Sequence, residues 1–89
     1  MGVEWDAAKA RLILRRHGVR FADGITVLDD ELALTSEDPH PYEDRYLTVG
    51  SDPLGRALTV CYTFRGENVR IISVRRATPR ERCLYEGQA

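Results

Sequence analysis

Four arginines and a glutamate fall within eight residues near the end of the 89-residue chain: Arg75, Arg76, Arg80, Glu81 and Arg82, inside the stretch VRIISVRRATPRERCLYE. Arginine suits phosphate because its planar fork offers paired donors and keeps its charge at any working pH. Glu81 adds a carboxylate that can either carry a proton or hold a neighbouring group in place. His17 is a second candidate proton carrier or phosphate contact, set where a helix dipole favours a cation. Two readings of these residues stand side by side. In one the arginines gather an anion at the start of a helix. In the other they are a solvated face, paired with Glu67, Glu81 or the acidic middle of the chain, and His17 is merely a helix-terminal histidine.

The positioning elements follow from local pattern. Val69, Ile71, Ile72 and Val74 are β-branched and fall on both parities, which predicts a central strand buried on both faces. Thr78 reads as an N-cap, Glu81 three residues on completes a capping box, and Pro79 sits at the first helical position. The strand thus delivers Arg75 and Arg76 where the helix begins Arg80 and Arg82, so four guanidiniums are expected to converge. At the other end, Val3 to Trp5 reads as an edge strand or arm, with Trp5 packing at the end of the sheet. Asp6 can cap a helix over Ala7 to His17 that Gly18 would end. A second short helix is expected over Phe21 to Leu28, with Gly24 weakening the pattern. Asp29, Asp30 and Glu31 then read as a solvated turn, because consecutive carboxylates rarely face one metal.

A short strand is expected over Leu32 to Thr35, and a loop over Ser36 to Pro41, where Pro39 and Pro41 flank His40. Glu43 to Gly50 resumes strand alternation, with Leu47 and Val49 on one side and Tyr46 and Thr48 on the other. A turn at Ser51 to Arg56 leads to the clearest strand, Ala57 to Phe64, and Arg65 to Asn68 turns back again. Gly87 to Ala89 are expected to fray. Short connections make the meander antiparallel. The expected architecture is α+β: two N-terminal helices, an antiparallel sheet of about four strands and a C-terminal helix, the helices covering one sheet face. The other face is expected to carry Thr48, Thr59, Thr63 and part of the arginine cluster, a surface suited to RNA.

Composition narrows the class. The chain has room for one domain, spanning 1–89, with 43% apolar and 30% charged residues. Its net charge of −1 hides a segregation. Residues 1–22 hold five basic against two acidic side chains, residues 23–52 hold nine acids against Arg45 alone, and residues 53–89 hold seven arginines against three glutamates. Basic ends with an acidic middle suit a nucleic acid plus a protein partner. Twelve of the 13 basic residues are arginine, a bias that a GC-rich genome would also produce. Cys61 and Cys83 lack metal-site spacing and are expected to be reduced, half-buried thiols of a cytoplasmic protein. No metal or other cofactor is expected. No apolar run approaches a membrane span, and the N-terminus has no signal-peptide pattern.

Three blocks, VEWDAAKARLILRRHGVRFADGITVLDD, EDRYLTVG and RIISVRRATPRERCLYE, keep an order and spacing in which the chain resembles the BrnT family of toxins from type II toxin–antitoxin systems. Only residues 36–42 and 51–56, both predicted loops, look peculiar to this chain. The resemblance implies a small RelE-like endoribonuclease that cleaves RNA and slows translation. It also implies a BrnA-type antitoxin with a ribbon-helix-helix segment, in a complex that meets DNA only through the antitoxin and represses its own operon. Carried over by position, the family's opening pairs fall on Trp5, Asp6, His17 and Gly18, with Lys9 in the helix between. Its central element falls on Asp44, Arg45 and Tyr46, and Glu43 competes with Asp44 for the place of the family's glutamate. Its closing element covers Arg70, Ile71, Ile72, Ser73, Arg75, Ala77, Thr78, Arg80, Glu81 and Arg82. Arg76 stands where lysine is common, which keeps the charge and removes a donor of accessible pKa.

Metal-free RNA cleavage needs the 2′-hydroxyl to attack the adjacent phosphate in line, with charge stabilised and protons moved. On this resemblance Arg75 and Arg80, with Arg45, would take the phosphate, and Glu81 or His17 a proton. Lys9, Tyr46, Arg70, Arg76 and Arg82 would bind RNA; Tyr46 and Tyr85 could instead be core or rim aromatics. Glu81 could be wholly occupied by its capping box, and Arg45 by an acidic neighbour. The alternative function is non-catalytic: a partner-binding corepressor module within a DNA-binding complex. Direct DNA reading by this chain is weaker, since no helix-turn-helix pattern is present.

Overall fold

The computed structural model describes residues 2–87. The elements run β1 (Val3–Glu4), α1 (Ala7–His17), α2 (Phe21–Leu28), β2 (Leu34–Asp38), β3 (Arg45–Ser51), β4 (Ala57–Arg65), β5 (Asn68–Arg76) and α3 (Pro79–Glu86). The class is α+β, and the five strands lie in the order β1-β5-β4-β3-β2. From β2 to β5 the sheet is an antiparallel meander. The fifth strand is β1, which pairs in parallel with β5, Val3 beside Val69 and Glu4 beside Arg70. The expectation of fraying at residues 88 and 89 lies outside the described residues.

The helices begin and end where their caps dictate. Asp6 accepts from the amide of Ala8 at 3.0 Å, and Gly18, at φ 66°, closes α1 by donating to the carbonyl of Leu14. Thr78 accepts from the Glu81 amide while Glu81 accepts from the Thr78 amide, at 3.2 and 2.8 Å. Gly24, which weakened the expectation of α2, is what lets this helix lie close. A Cβ there would stand 2.9 Å from Val74 Cγ2 and 3.3 Å from Val60 Cγ2.

The core gathers Leu58, Val60 and Tyr62 of β4, Val69, Ile71 and Val74 of β5, and Val19, Phe21 and Val27 from the helical half. Trp5 packs edge-on to Phe21 with ring centroids 6.0 Å apart. Both-parity burial in β5 proves to have another cause than two covered faces. Tyr62 pairs with Ile71 but Cys61 pairs with Ser73, so Ile72 is an extra residue and the strand bulges. The bulge resets the alternation, and Val69, Ile71 and Val74 all turn to the same core.

Further expectations are corrected. The strand expected at Leu32 to Thr35 runs instead from Leu34 to Asp38, because Asp30 binds the amide of Leu32 through its side chain and that of Ala33 through its carbonyl, spending both residues in a turn. Ser36, Glu37 and Asp38, expected in a loop, then pair with β3, since an edge strand leaves acidic side chains in water. Thr48 lies beside Val60 on the helix-covered face, where its hydroxyl meets Tyr62 Oη at 2.9 Å and Thr35 Oγ1 at 2.8 Å. Finally, α1 and α2 cover one face, but α3 crosses to the other: Glu81 and Leu84 sit against Leu34, Leu47 and Val49. Cys61 is buried and Cys83 exposed, where both were expected half-buried.

Candidate functional site

Sheet register decides which cations share a surface. Arg45 lies opposite Thr63 on β4, and Thr63 lies opposite Arg70 on β5. Arg75 lies opposite Thr59 on the same face, with Cys61 and Ser73 paired between the two rows. Arg70 and Arg75 are five residues apart and would point to opposite faces of a regular strand. The bulge at Ile72 sends both to the face away from the core. This is the central fact of the site.

Two arrangements occupy this face. At the β4 start, Arg75 grips Glu81 with both terminal nitrogens, Nη1 to Oε1 at 2.7 Å and Nη2 to Oε2 at 3.0 Å. Glu81 also accepts from Thr59 Oγ1 at 3.1 Å and from the Thr78 amide at 2.8 Å. The Arg75 fork, above all, holds the Glu81 carboxyl down to a pKa of about 2. Glu81 in turn raises the pKa of Arg75 through the same bonds. Glu81 is therefore an anion that fixes a guanidinium. At the β4 end, Asp6, Lys9, Glu43, Arg45, Thr63, Arg65, Arg70 and Ile72 line a groove of about 210 Å³. Glu43 is the acid that meets Arg45, at 2.6 Å to Nε, and it stays ionised chiefly because of that bond. Asp44 contributes its carbonyl instead, accepting from Thr63 Oγ1 at 2.6 Å. Arg70 meets Glu4 at 3.1 Å. Between the rows, burial pushes the Cys61 thiol up, with the charge of Asp38 adding to the effect.

The expected convergence of four guanidiniums is divided. Adjacent strand residues face opposite ways, so Arg76 turns from Arg75 and lines a separate cavity of about 320 Å³ with Arg56, Arg82 and Tyr85. Arg82 also meets Glu86 at 3.8 Å, and Arg80 is exposed in the first turn of α3. His17 is exposed at the end of α1, and no hydrogen bond or ion pair joins it to the arginines. Tyr46 packs with Tyr62 and Phe64 at centroid distances of 5.8 and 5.7 Å, on the other face from Arg45. Tyr85 donates its hydroxyl to Asp30, tying α3 to the end of α2.

The turn expected at Ser51 to Arg56 is present, but sequence reasoning missed Arg65 at the groove and the pairing of Asp52 with Arg56 inside that turn. Asp52 accepts from the amides of Leu54 and Arg56 and from Arg56 Nε, while Arg56 reaches Asp23 at 3.1 Å. An Asp-Pro turn with an arginine four residues on carried that signal. The shared face of Arg70 and Arg75 was missed as well, because it rests on the bulge at Ile72, which appears only in the pairing with β4.

A family model described as ribonuclease toxin, BrnT, of type II toxin-antitoxin system matches residues 5–81. The chain is also similar to the 1.1 Å crystal structure of the Brucella abortus ribonuclease toxin, BrnT. The two share 25% identity at a TM-score of 0.66, over 88% of this chain and 97% of that one. No curated protein matches the chain.

Proposed function

Because the chain belongs to the BrnT family of ribonuclease toxins of type II toxin–antitoxin systems, we propose that it is a cytoplasmic endoribonuclease that cuts RNA without a metal and slows translation. A BrnA-type ribbon-helix-helix antitoxin holds it silent, and the pair reaches DNA only through that antitoxin. The observation that carries this reading is the single face shared by Arg45, Arg70 and Arg75, with Lys9 beside it. Guanidiniums fixed in advance, in a place where phosphate charge would develop, are the strongest contribution such a small site can make.

In the reaction the 2′-oxygen forms a bond to the adjacent phosphorus as the bond to the 5′-oxygen breaks, leaving a 2′,3′-cyclic phosphate and a 5′-hydroxyl. Arg75 holds the non-bridging oxygens of the pentavalent phosphate. Glu81 is a positioning residue: ionised at any physiological pH, it aims Arg75 and is a weak base. Water takes the 2′-hydroxyl proton and supplies the proton of the leaving oxygen, with His17 exposed at the far end of α1. Arg45, Arg70 and Lys9 hold the rest of the strand, and Arg76, Arg80 and Arg82 flank it.

The test is cleavage of a defined RNA in EDTA by wild type and by Arg75→Ala. Wild type should leave 2′,3′-cyclic or 3′-phosphate and 5′-hydroxyl ends. Arg75→Ala should lose activity by about 10²-fold or more while melting cooperatively. One observation favours a second reading: Arg75 spends both terminal nitrogens on Glu81, as an arginine that only fastens α3 would. Intact RNA from folded wild type, with ribosomes also supplied, would move the conclusion to the partner-binding corepressor.

A further inference from the structure

The cation-lined groove at the β4 end lies at a distance from Arg75. Thr59 and Thr63 are four residues apart on one strand, which separates the two rows by about 13 Å. Resting on the ribonuclease reading, we propose that the groove of Lys9, Arg45, Arg65 and Arg70 is a second phosphate subsite. It holds a backbone phosphate of the same single-stranded RNA, roughly two to four nucleotides from the bond cut near Arg75.

The donors there are only partly spent. Arg45 uses Nε on Glu43 and, among the described residues, its two terminal nitrogens make no bond; Arg70 uses Nη1 on Glu4. Arg65 reaches Glu43 at 3.9 Å, an ion pair too long for a hydrogen bond. Lys9 lines the groove and has no ion pair among the described residues. A phosphodiester would therefore find paired donors on Arg45 and a point charge on Lys9. Asp6 and Glu43 also line the groove; Asp6 is engaged with the Ala8 amide and Glu43 with Arg45. The floor between the two rows is Cys61 and Ser73, small side chains that let a strand pass. Among the described residues no large aromatic stands on that floor, so the contact is with backbone charge and implies little preference for base.

The experiment uses an RNA whose cleavage site has been mapped, shortened to a few nucleotides and then extended one nucleotide at a time on the 5′ or the 3′ side. For wild type, kcat/KM should rise by about tenfold or more as the extension reaches the groove, on one side only, and then level off. In Lys9→Ala and in Arg70→Ala the ratio of long to short kcat/KM should fall toward one. A ratio independent of length, or one that both variants leave as in wild type, overturns the subsite while leaving the ribonuclease reading intact. If folded wild type cuts neither length, that reading fails, and binding of 2′-deoxy oligonucleotides of the same lengths decides the subsite. Affinity that grows with length and loses that growth in Lys9→Ala supports it. Affinity indifferent to length, with tight binding of an acidic peptide instead, overturns it.

Discussion

At the scale of single residues, Glu81 separates a chemical role from a structural one. Its folded pKa of about 2 lies below the ordinary 4.5, so the stability it contributes is fully present above pH 4.5 and is lost as pH falls toward 2. Glu81→Gln should therefore melt lower than wild type near neutrality, and the gap should close in acid. Asp30 and Asp52 are also held below their usual range, Asp30 chiefly by Tyr85 and Asp52 by its bonds from Arg56 against the cost of burial. Both remain in the variant, so their acid loss cancels in the comparison. Melting curves from pH 6 to pH 2 check this, and a gap that does not change with pH would mean that Glu81 is not held as an anion. Arg75→Lys sharpens the point. Lysine keeps the charge and cannot grip both carboxylate oxygens, so activity should fall by roughly ten- to a hundredfold with little loss of RNA affinity. Steady-state kcat and KM measured separately would show whether geometry or charge was removed.

At the scale of elements, the sequence was most legible where a cap or a turn has one local solution. Asp6, Gly18 and the Thr78–Glu81 box set the ends of α1 and the start of α3 without help from the rest of the fold. Thr78→Ala should cost about 1 kcal/mol, read as a melting temperature lower by roughly 4–8 °C, with activity changed only as far as α3 shifts. Features set by distant partners were not legible in the same way. The parallel pairing of β1 depends on Val69 across the chain, and the facing of Arg70 and Arg75 depends on a bulge that only the β4 register reveals. The candidate site was therefore half visible: the cationic residue types could be read, but their division into two rows and a separate Arg76–Arg82 cavity could not. Gly24 shows the same limit. Local propensity favours alanine there by about 1 kcal/mol, yet the added methyl would meet Val74 at 2.9 Å. Gly24→Ala should destabilise by about 1–3 kcal/mol, a sign opposite to propensity that denaturant unfolding can read directly.

At the scale of the whole molecule, the near-zero net charge conceals how the acids are used. Asp23 and Asp52 are spent on Arg56, Glu43 on Arg45 and Glu81 on Arg75, so much of the acidic charge orders arginines. What is left over is a face with a cation-lined groove at the end of β4 and the Arg75–Glu81 pair at its start. If RNA lies along that face, its affinity must weaken with salt in proportion to the phosphates it neutralises. Each contact to a single strand contributes about −0.7 to the slope of log affinity against log salt, so four cations give roughly −3. Lys9→Ala should make that slope shallower by about 0.7, because it removes one cation and, among the described residues, no ion pair. Tyr46→Ala should leave the slope as it is, since Tyr46 packs with Tyr62 and Phe64 on the opposite face. Titrating a non-cleavable oligonucleotide at several salt concentrations measures all three slopes. A Lys9→Ala slope equal to that of wild type would place the strand elsewhere, and the cavity of Arg56, Arg76 and Arg82 would then be the surface to examine by the same slope.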